Sequence, residues 1–369
     1  MMDFSLSEAE IELGALARRI LTDRVTPARL REVEAGGDRF DRSLWTSLAE
    51  AGVLGAALPE SVGGAGLGLL AQCAVLIEVG RAVAPVPYLA SVVTGAAALA
   101  RFGTPEQCAR WAAPAARGEL VLTAALSEED GDDPATPTTR AERVSGGWVL
   151  TGTKTTVPAG PYADLILVPA DTPEGVAVFL VAPTDHGVTV ERQRVVDGDH
   201  EGWLDLAGVP LPDDRLLGGP GVVDRLVTHA TVGLCAAQLG VVERALEMTA
   251  GYARTRVQFG RPIGEFQAVA QRLADAYIDV EAIRLTMWQA AWRLSAGLPC
   301  DTEIGTAKFW AADAGHRVAH TAVHVHGGVG IDVDYPLHRY FVAAKRNEFS
   351  LGAATAQLRR IGAALAVSV

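Results

Sequence analysis

The spacing of apolar positions changes twice along the chain. From residue 7 to about 118 it is helical. Ser7 and Glu10 make a capping box ahead of Ile11, Ala15 and Leu16. Asp41 caps a segment carrying Leu44, Trp45 and Leu48, which Gly52 ends. Thr104-Pro105-Glu106-Gln107 opens another helix, with a capping hydroxyl, proline at the first helical position and glutamine at the third. From about residue 120 to 210 the pattern gives way to short β-branched runs: LVLTAAL, GWVLTGTKTTV, ADLILVPA, GVAVFLVAP and GVTVERQRVV. Gly, Pro and Asp clusters separate them at spacings that suit a small antiparallel sheet or barrel. No long helices alternate with these strands, which excludes a parallel doubly wound sheet. From about residue 222 long helices return. After Phe266, the positions Val269, Leu273, Tyr277, Val280, Ile283 and Met287 follow a three-to-four spacing, with Arg272, Asp275, Asp279 and Arg284 opposite. Similar periods through 226–252, 304–323 and 349–365 predict an antiparallel four-helix bundle.

The class is therefore α+β, mainly α, with expected domains at 1–118 (helical), 119–215 (β) and 216–369 (bundle). A chain of 369 residues has room for two or three domains. The formal charge of −12 argues against a nucleic-acid binder, which needs clustered Lys and Arg. Cys73, Cys108, Cys235 and Cys300 lie far apart without CxxC spacing, so reduced thiols in a cytoplasmic protein are expected. The opening MMDFSLSEAEIE carries acids where a secretory signal has positive charge. Residues 82–100 are uncharged, but Pro85 and Pro87 near the start point to a buried helix entered through a turn rather than to a membrane span.

Standard nucleotide and hydrolase signatures are missing. There is no GxxxxGK[ST] and no GxSxG, and none of GGAGLG, GGPG or GGVG completes GxGxxG behind a strand. His316, His320 and His324 fall four apart on one helix face, with His326 beyond them; a metal site there competes with capping, packing or contact with a phosphate. Segment 254–267, RTRVQFGRPIGEFQ, joins a basic helix end to a Phe-Gly-Arg-Pro-Ile turn and a new helix. Arg256 could grip a pyrophosphate bidentately or be solvated. Gly327-Gly328 could admit a phosphate closely or simply turn the chain.

RTRVQFGRPIGEFQAV together with the later HVHGGVGIDVDYPLHRYFVAAK closely resembles the acyl-CoA dehydrogenases. The likeness continues in PESVGGAGLG (59–68) and GWVLTGTK, so it covers essentially the whole chain. It implies an N-terminal helical domain, a central β-barrel domain and a C-terminal four-helix bundle. It also implies FAD bound across a subunit interface, an acyl-CoA substrate, and an electron-transfer flavoprotein or similar acceptor. In this family a glutamate removes the α-proton while the β-hydrogen leaves as hydride to the flavin.

The family's motif for the ADP end of FAD is matched by Arg256, Gln267, Gly327 and Gly328, with Phe259 and Phe266 as apolar neighbours. His324 stands where the family often has glutamine and still offers a donor. The ring end departs from the pattern. Leu126-Ser127-Glu128-Glu129-Asp130-Gly131-Asp132-Asp133 replaces a Thr-Glu-Pro loop that runs into Gly-Ser-Asp, and these carboxylates would sit awkwardly beside an electron-rich flavin. Beyond Lys154, Thr156 takes the place of a tryptophan and Pro158 that of a threonine. Leu351, before Gly352, takes the place of the catalytic glutamate, and the alternative position on the first bundle helix, Ala230 or Thr231, is not acidic. Glu348, almost one turn away, is the nearest candidate base.

The chain thus resembles subunits of the heteromeric acyl-CoA dehydrogenases that sterol-degrading bacteria use on steroid side chains, in which two unlike homologues assemble as α2β2. That likeness implies a subunit with no catalytic residue of its own, serving a partner's flavin. A homotetramer using Glu348, a scaffold subunit binding no nucleotide, and a metal enzyme on the His316/His320/His324 face are the competing expectations.

Overall fold

The computed structural model describes residues 5–129, 131 and 133–367. Residues 1–4 of the N-terminal reading, and Asp130 and Asp132 of the acidic run, lie outside the described residues.

Helices α1 (Glu8–Arg24), α2 (Pro27–Ala35), α3 (Arg42–Glu50) and α4 (Gly68–Ala82) come first. A π-helical run, Leu89–Ala96, passes into α5 (Ala97–Phe102); α6 (Pro105–Gln107), a second π run at Cys108–Ala112 and α7 (Ala113–Ala116) follow. The capping boxes of Ser7 with Glu10 and of Thr104 with Gln107 both form, and Asp41 Oδ1 accepts from the Leu44 amide at 3.1 Å. Within the uncharged stretch, an irregular segment holding Pro85 and Pro87 leads into a buried helix.

Eight strands follow: β1 (Leu122–Ala124), β2 (Arg140–Val144), β3 (Gly147–Val157), β4 (Leu165–Thr172), β5 (Gly175–Val181), β6 (Val188–Arg194), β7 (His200–Pro212) and β8 (Leu216–Gly218). They form one sheet in the order β6-β7-β3-β2-β4-β5-β8, with β1 beside β4. Pairing is antiparallel except for the parallel contacts β1–β4 and β2–β4, so the sheet is mixed.

The rest is α8 (Pro220–Thr255), a hairpin of β9 (Val257–Gln258) and β10 (Arg261–Pro262), α9 (Gln267–Ser295), α10 (Asp301–His326), α11 (Leu337–Phe349) and α12 (Ala354–Val367). Among the described residues only α8 is long and apolar enough to cross a membrane, and 83% of its apolar window is buried, as in a core helix.

The chain divides into two compact units. Arg31–Gln72 with Pro85–Ala230 form one. Its sheet core gathers Trp148, Leu150, Ile166, Val168, Phe179, Leu204, Leu206 and Val209. Each such burial contributes about 1.5–3 kcal/mol. Trp148 meets Phe179 edge-on at 5.3 Å. Met1–Leu30, Cys73–Ala84 and Thr231–Val369 form the other unit. There Val241, Ala245, Ala319, Ala322, Leu337, Tyr340 and Ala344 share a core. α4 and α8 meet backbone to backbone at Gly80 and Gly240, where a Cβ would collide with carbonyls of the facing helix.

Two expectations for the bundle are corrected. Tyr277 is 61% exposed, whereas Asp279 is buried. Arg317 from α10 makes the difference, donating to both Asp279 carboxylate oxygens at 2.9 and 2.6 Å, so the acid can face inward. The segment 349–365 is not one helix. α11 ends at Phe349 and α12 begins at Ala354, with Leu351 (φ 57°) and Gly352 (φ 91°) turning left-handed between them. Among the described residues α11 is thus a further long helix beside the four expected ones, α8, α9, α10 and α12.

Candidate functional site

Four of the residues that resemble the ADP-end motif sit around the hairpin. Arg256 follows the last turn of α8, and its carbonyl accepts from the Ile263 amide at 2.8 Å, closing the β9–β10 turn. Phe259 occupies the tip with φ 53° and is 93% exposed. A bulky side chain in that backbone region is strained, and here it is also fully presented to solvent. Its ring meets Phe266 edge-on at 6.1 Å, and the Arg261 guanidinium lies over Phe266 at 4.3 Å. Gln267 begins α9, where backbone N–H groups and the helix dipole favour an anion. Arg256 and Gln267 are both exposed.

The other three lie at the end of α10. His324 is exposed, and Gly327 (φ 65°, ψ −143°) adopts a conformation that only glycine takes readily. A Cβ at Gly327 or Gly328 would meet nothing within 4 Å, so the backbone is open to close approach on that side. No hydrogen bond, ion pair or ring contact among the described residues joins the hairpin group to the glycine-turn group. The Gly327 amide caps α10 by donating to the Val323 and His324 carbonyls, while the Arg256, Gln267 and His324 side chains are exposed.

The end of β3 and the β-domain segments beside it present different chemistry. Thr156 has φ 48°, is exposed, and donates its amide to Gln193 Oε1 at 2.9 Å. Pro158 is exposed, lacks an N–H, and spends its carbonyl on the Thr123 hydroxyl at 2.5 Å. Glu128 points inward. Its carboxylate accepts from Lys154 Nζ at 2.6 Å and from the amides and hydroxyls of Thr138 and Thr139. Burial opposes its ionisation, but these donors prevail and hold its pKa at about 2. The expected crowding of carboxylates is therefore relieved at this one position: Glu128 is neutralised within the fold.

Leu351, expected in place of the catalytic glutamate, is left-handed, and its carbonyl and that of Gly352 accept from Gln357 Nε2 at 3.0 and 3.1 Å. Glu348 does not point freely. Lys345 Nζ donates to it at 2.6 Å, and His316 Nδ1 lies 3.1 Å away. Ala230 and Thr231 on α8 are buried.

Models of the acyl-CoA dehydrogenase N-terminal, middle and C-terminal domains match residues 7–119, 123–206 and 218–366. The chain belongs to the acyl-CoA dehydrogenase family. It is 52% identical to acyl-CoA dehydrogenase FadE27 of Mycobacterium tuberculosis, over 99% of each chain. It superimposes on a chain of the ChsE4-ChsE5 complex of the same organism with TM-score 0.96, 53% identity and 99% coverage of both. A variant of the Tcur3481-Tcur3483 steroid ACAD follows, with TM-score 0.94, 44% identity and 99% coverage of both.

FAD is the cofactor of this acyl-CoA dehydrogenase. Its phosphate end fits the residues present, since exposed donors flank an open glycine turn. Its ring end fits poorly, for neither Thr156 nor Pro158 offers an aromatic wall, the Thr156 amide is already bonded to Gln193, and Pro158 has no N–H. The histidines of α10 do not act together. The His316 and His320 rings lie tilted against each other with centroids 4.2 Å apart, burial and then the neighbouring His316 and Lys345 charges push His320 down, and no ring contact joins His324 to either. Among the described residues no three His, Cys, Asp or Glu side chains gather as a metal-holding group. Gln193, Thr123 and the Glu128–Lys154 pair escaped the sequence reading. Only the inward-facing position of Lys154 in β3 hinted at the pair.

Proposed function

We propose that this chain is one subunit of a heteromeric FAD-dependent acyl-CoA dehydrogenase, assembled as α2β2 with a homologous partner and acting on a bulky, steroid-like acyl-CoA in the cytoplasm. One asymmetry carries the reading. The exposed Arg256 and Gln267 side chains and an open glycine turn stand at the phosphate side, while Thr156 and Pro158 take the ring-side places and Leu351 the base position. Arg256, Phe259, Phe266, Gln267, His324, Gly327 and Gly328 would hold the ADP end of a flavin whose ring pocket and catalytic glutamate belong to the partner. When bound, FAD supplies the acceptor for the substrate's β-hydrogen, and an electron-transfer flavoprotein or similar protein reoxidises it.

This chain's contribution is binding and orientation. The Arg256 guanidinium offers parallel N–H donors that match a diphosphate. Gln267 adds a donor at the positive end of α9, and the Gly327-Gly328 turn lets the backbone approach a phosphate without a Cβ in the way. The two-chain complexes among its relatives support a homologous partner, and the steroid ACAD among them supports a steroid-like substrate. A homotetramer with Glu348 as base is disfavoured by the ion pair that Lys345 makes with that carboxylate. Purification alone and with a co-expressed partner tests the proposal. The lone chain is expected colourless, and the complex yellow with half a flavin per chain. A yellow, active protein from this chain alone overturns it. Flavin content unchanged by Arg256→Ala in the complex would favour a scaffold.

A further inference from the structure

The residue before the glycine turn is unusually well tied. His326 ends α10 and is 4% exposed. Its Nδ1 lies 2.8 Å from the Ala322 carbonyl and must donate to it. That leaves Nε2 to accept from the Tyr335 hydroxyl at 3.3 Å. Burial pushes the imidazole below its usual range, in keeping with this neutral tautomer. One face of the ring stacks on Tyr252 from α8, with centroids 4.3 Å apart and planes 22° apart. Tyr335 leans on it at 5.4 Å.

These contacts close a loop. His326 stands immediately before Gly327 and Tyr335 immediately before Pro336, at the start of α11, so their contact staples the base of the segment between them. Inside the segment Gly330 folds back: a Cβ there would lie 3.0 Å from the Val323 Cα and 3.1 Å from the His326 Cβ. The outer side, at Gly327 and Gly328, stays open. We propose that Tyr252, His326 and Tyr335 form an aromatic clasp that pre-sets the Gly327-Gly328 turn for a dinucleotide's diphosphate, with His326 as the positioning residue. The inference rests on the half-site reading above. Its physical basis is preorganisation: a turn stapled at its base loses less freedom on binding than a free loop does.

The test uses the assembled complex and reads the FAD dissociation constant, together with hydrogen exchange of residues 327–335. His326→Phe keeps a flat ring and removes both hydrogen bonds. It should weaken FAD about tenfold and speed exchange in the turn. Tyr335→Phe removes only a hydroxyl and should weaken FAD about threefold. Adding Tyr335→Phe to His326→Phe should cost nothing further, because both remove the same bond. His326→Gln returns an acceptor and should recover part of the loss, which a purely structural role would not predict. Arg256→Gln serves as the control. If it weakens FAD while the clasp variants do not, the clasp falls and the half-site stands. If Arg256→Gln also leaves FAD untouched, the half-site reading itself falls.

Discussion

Lys154 Nζ donates to Glu128 Oε1 at 2.6 Å, with the lysine side chain fully buried and the glutamate side chain 4% exposed. Burial pulls the ammonium below the usual lysine range while the carboxylate pulls it back. The carboxylate's further donors, from Thr138 and Thr139, make the ion pair the state that persists at neutral pH. Lys154→Met should cost about 3–5 kcal/mol, because it strands a buried charge. Urea unfolding of the native chain and the variant measures this, and a loss under about 1 kcal/mol would show the pair to be dispensable. The acid sensitivity has a definite sign. Glu128 sits near 2 in the fold, below the ordinary glutamate value, so its stabilisation is complete above about pH 4.5 and is lost as pH falls toward 2.

His229 predicts a second acid dependence, which sets in at a higher pH. Arg225 Nη1 lies 2.7 Å from His229 Nε2, and His229 Nδ1 lies 3.1 Å from the Arg225 carbonyl. The imidazole is therefore neutral, donating through Nδ1 and accepting through Nε2. Burial, and then the Arg225 charge, push its pKa down to about 3. Unfolded, the same histidine binds a proton near 6.5, so lowering the pH favours the unfolded state. Stability should fall below pH 6.5 by at most about 1.4 kcal/mol per pH unit from this group. His229→Gln should flatten the slope between pH 6.5 and 5, where Glu128 contributes little. An unchanged slope would assign the dependence elsewhere.

Lys308 carries the third prediction. It is wholly buried, and its ammonium donates to the Asn347 and Glu348 carbonyls, both at 3.1 Å. These are last-turn carbonyls of α11 that the helix leaves without internal partners, and a positive charge complements the helix dipole there. Lys308→Met should cost about 1–3 kcal/mol, since both carbonyls lose their donor in a dry interior. The loss should be local first, with faster hydrogen exchange in the last turn of α11 and at Leu351 and Gly352. Slow exchange there after the substitution would mean that Gln357 alone secures the turn.

What the sequence disclosed depended on the range of the forces involved. Capping at Ser7, Asp41 and Thr104 was legible because each cap is satisfied within three residues. The order of helices, sheet and helices was legible because period reports burial. Tyr277 and Asp279 were misassigned because the deciding partner, Arg317, lies 38 positions away on another helix. The break between α11 and α12 escaped because Leu351 is apolar and continues the helical spacing, while its left-handed backbone depends on Gln357 holding the carbonyls. At the site, the motif residues could be named one by one. That Glu128 turns inward could not, because its neutralising lysine is set by strand register rather than by adjacency.

Leu351 supports a final prediction that separates a missing base from a missing ring site. If the lost glutamate were the only defect, Leu351→Glu would suffice. The backbone would accept the change at little cost, because position 351 already holds a non-glycine residue at φ 57°. The ring-side positions would remain as they are, with Thr156 and Gln193 bonded to each other and Pro158 offering no N–H. Leu351→Glu alone should therefore leave the lone chain colourless and inactive, with flavin content of the complex within about twofold of native. Combining it with Thr156→Trp and Pro158→Thr should raise flavin binding by the lone chain, measured by absorbance after gel filtration. A yellow, active lone chain from Leu351→Glu by itself would show that this polypeptide's own ring pocket is sound, and the division of labour between unlike subunits would have to be abandoned.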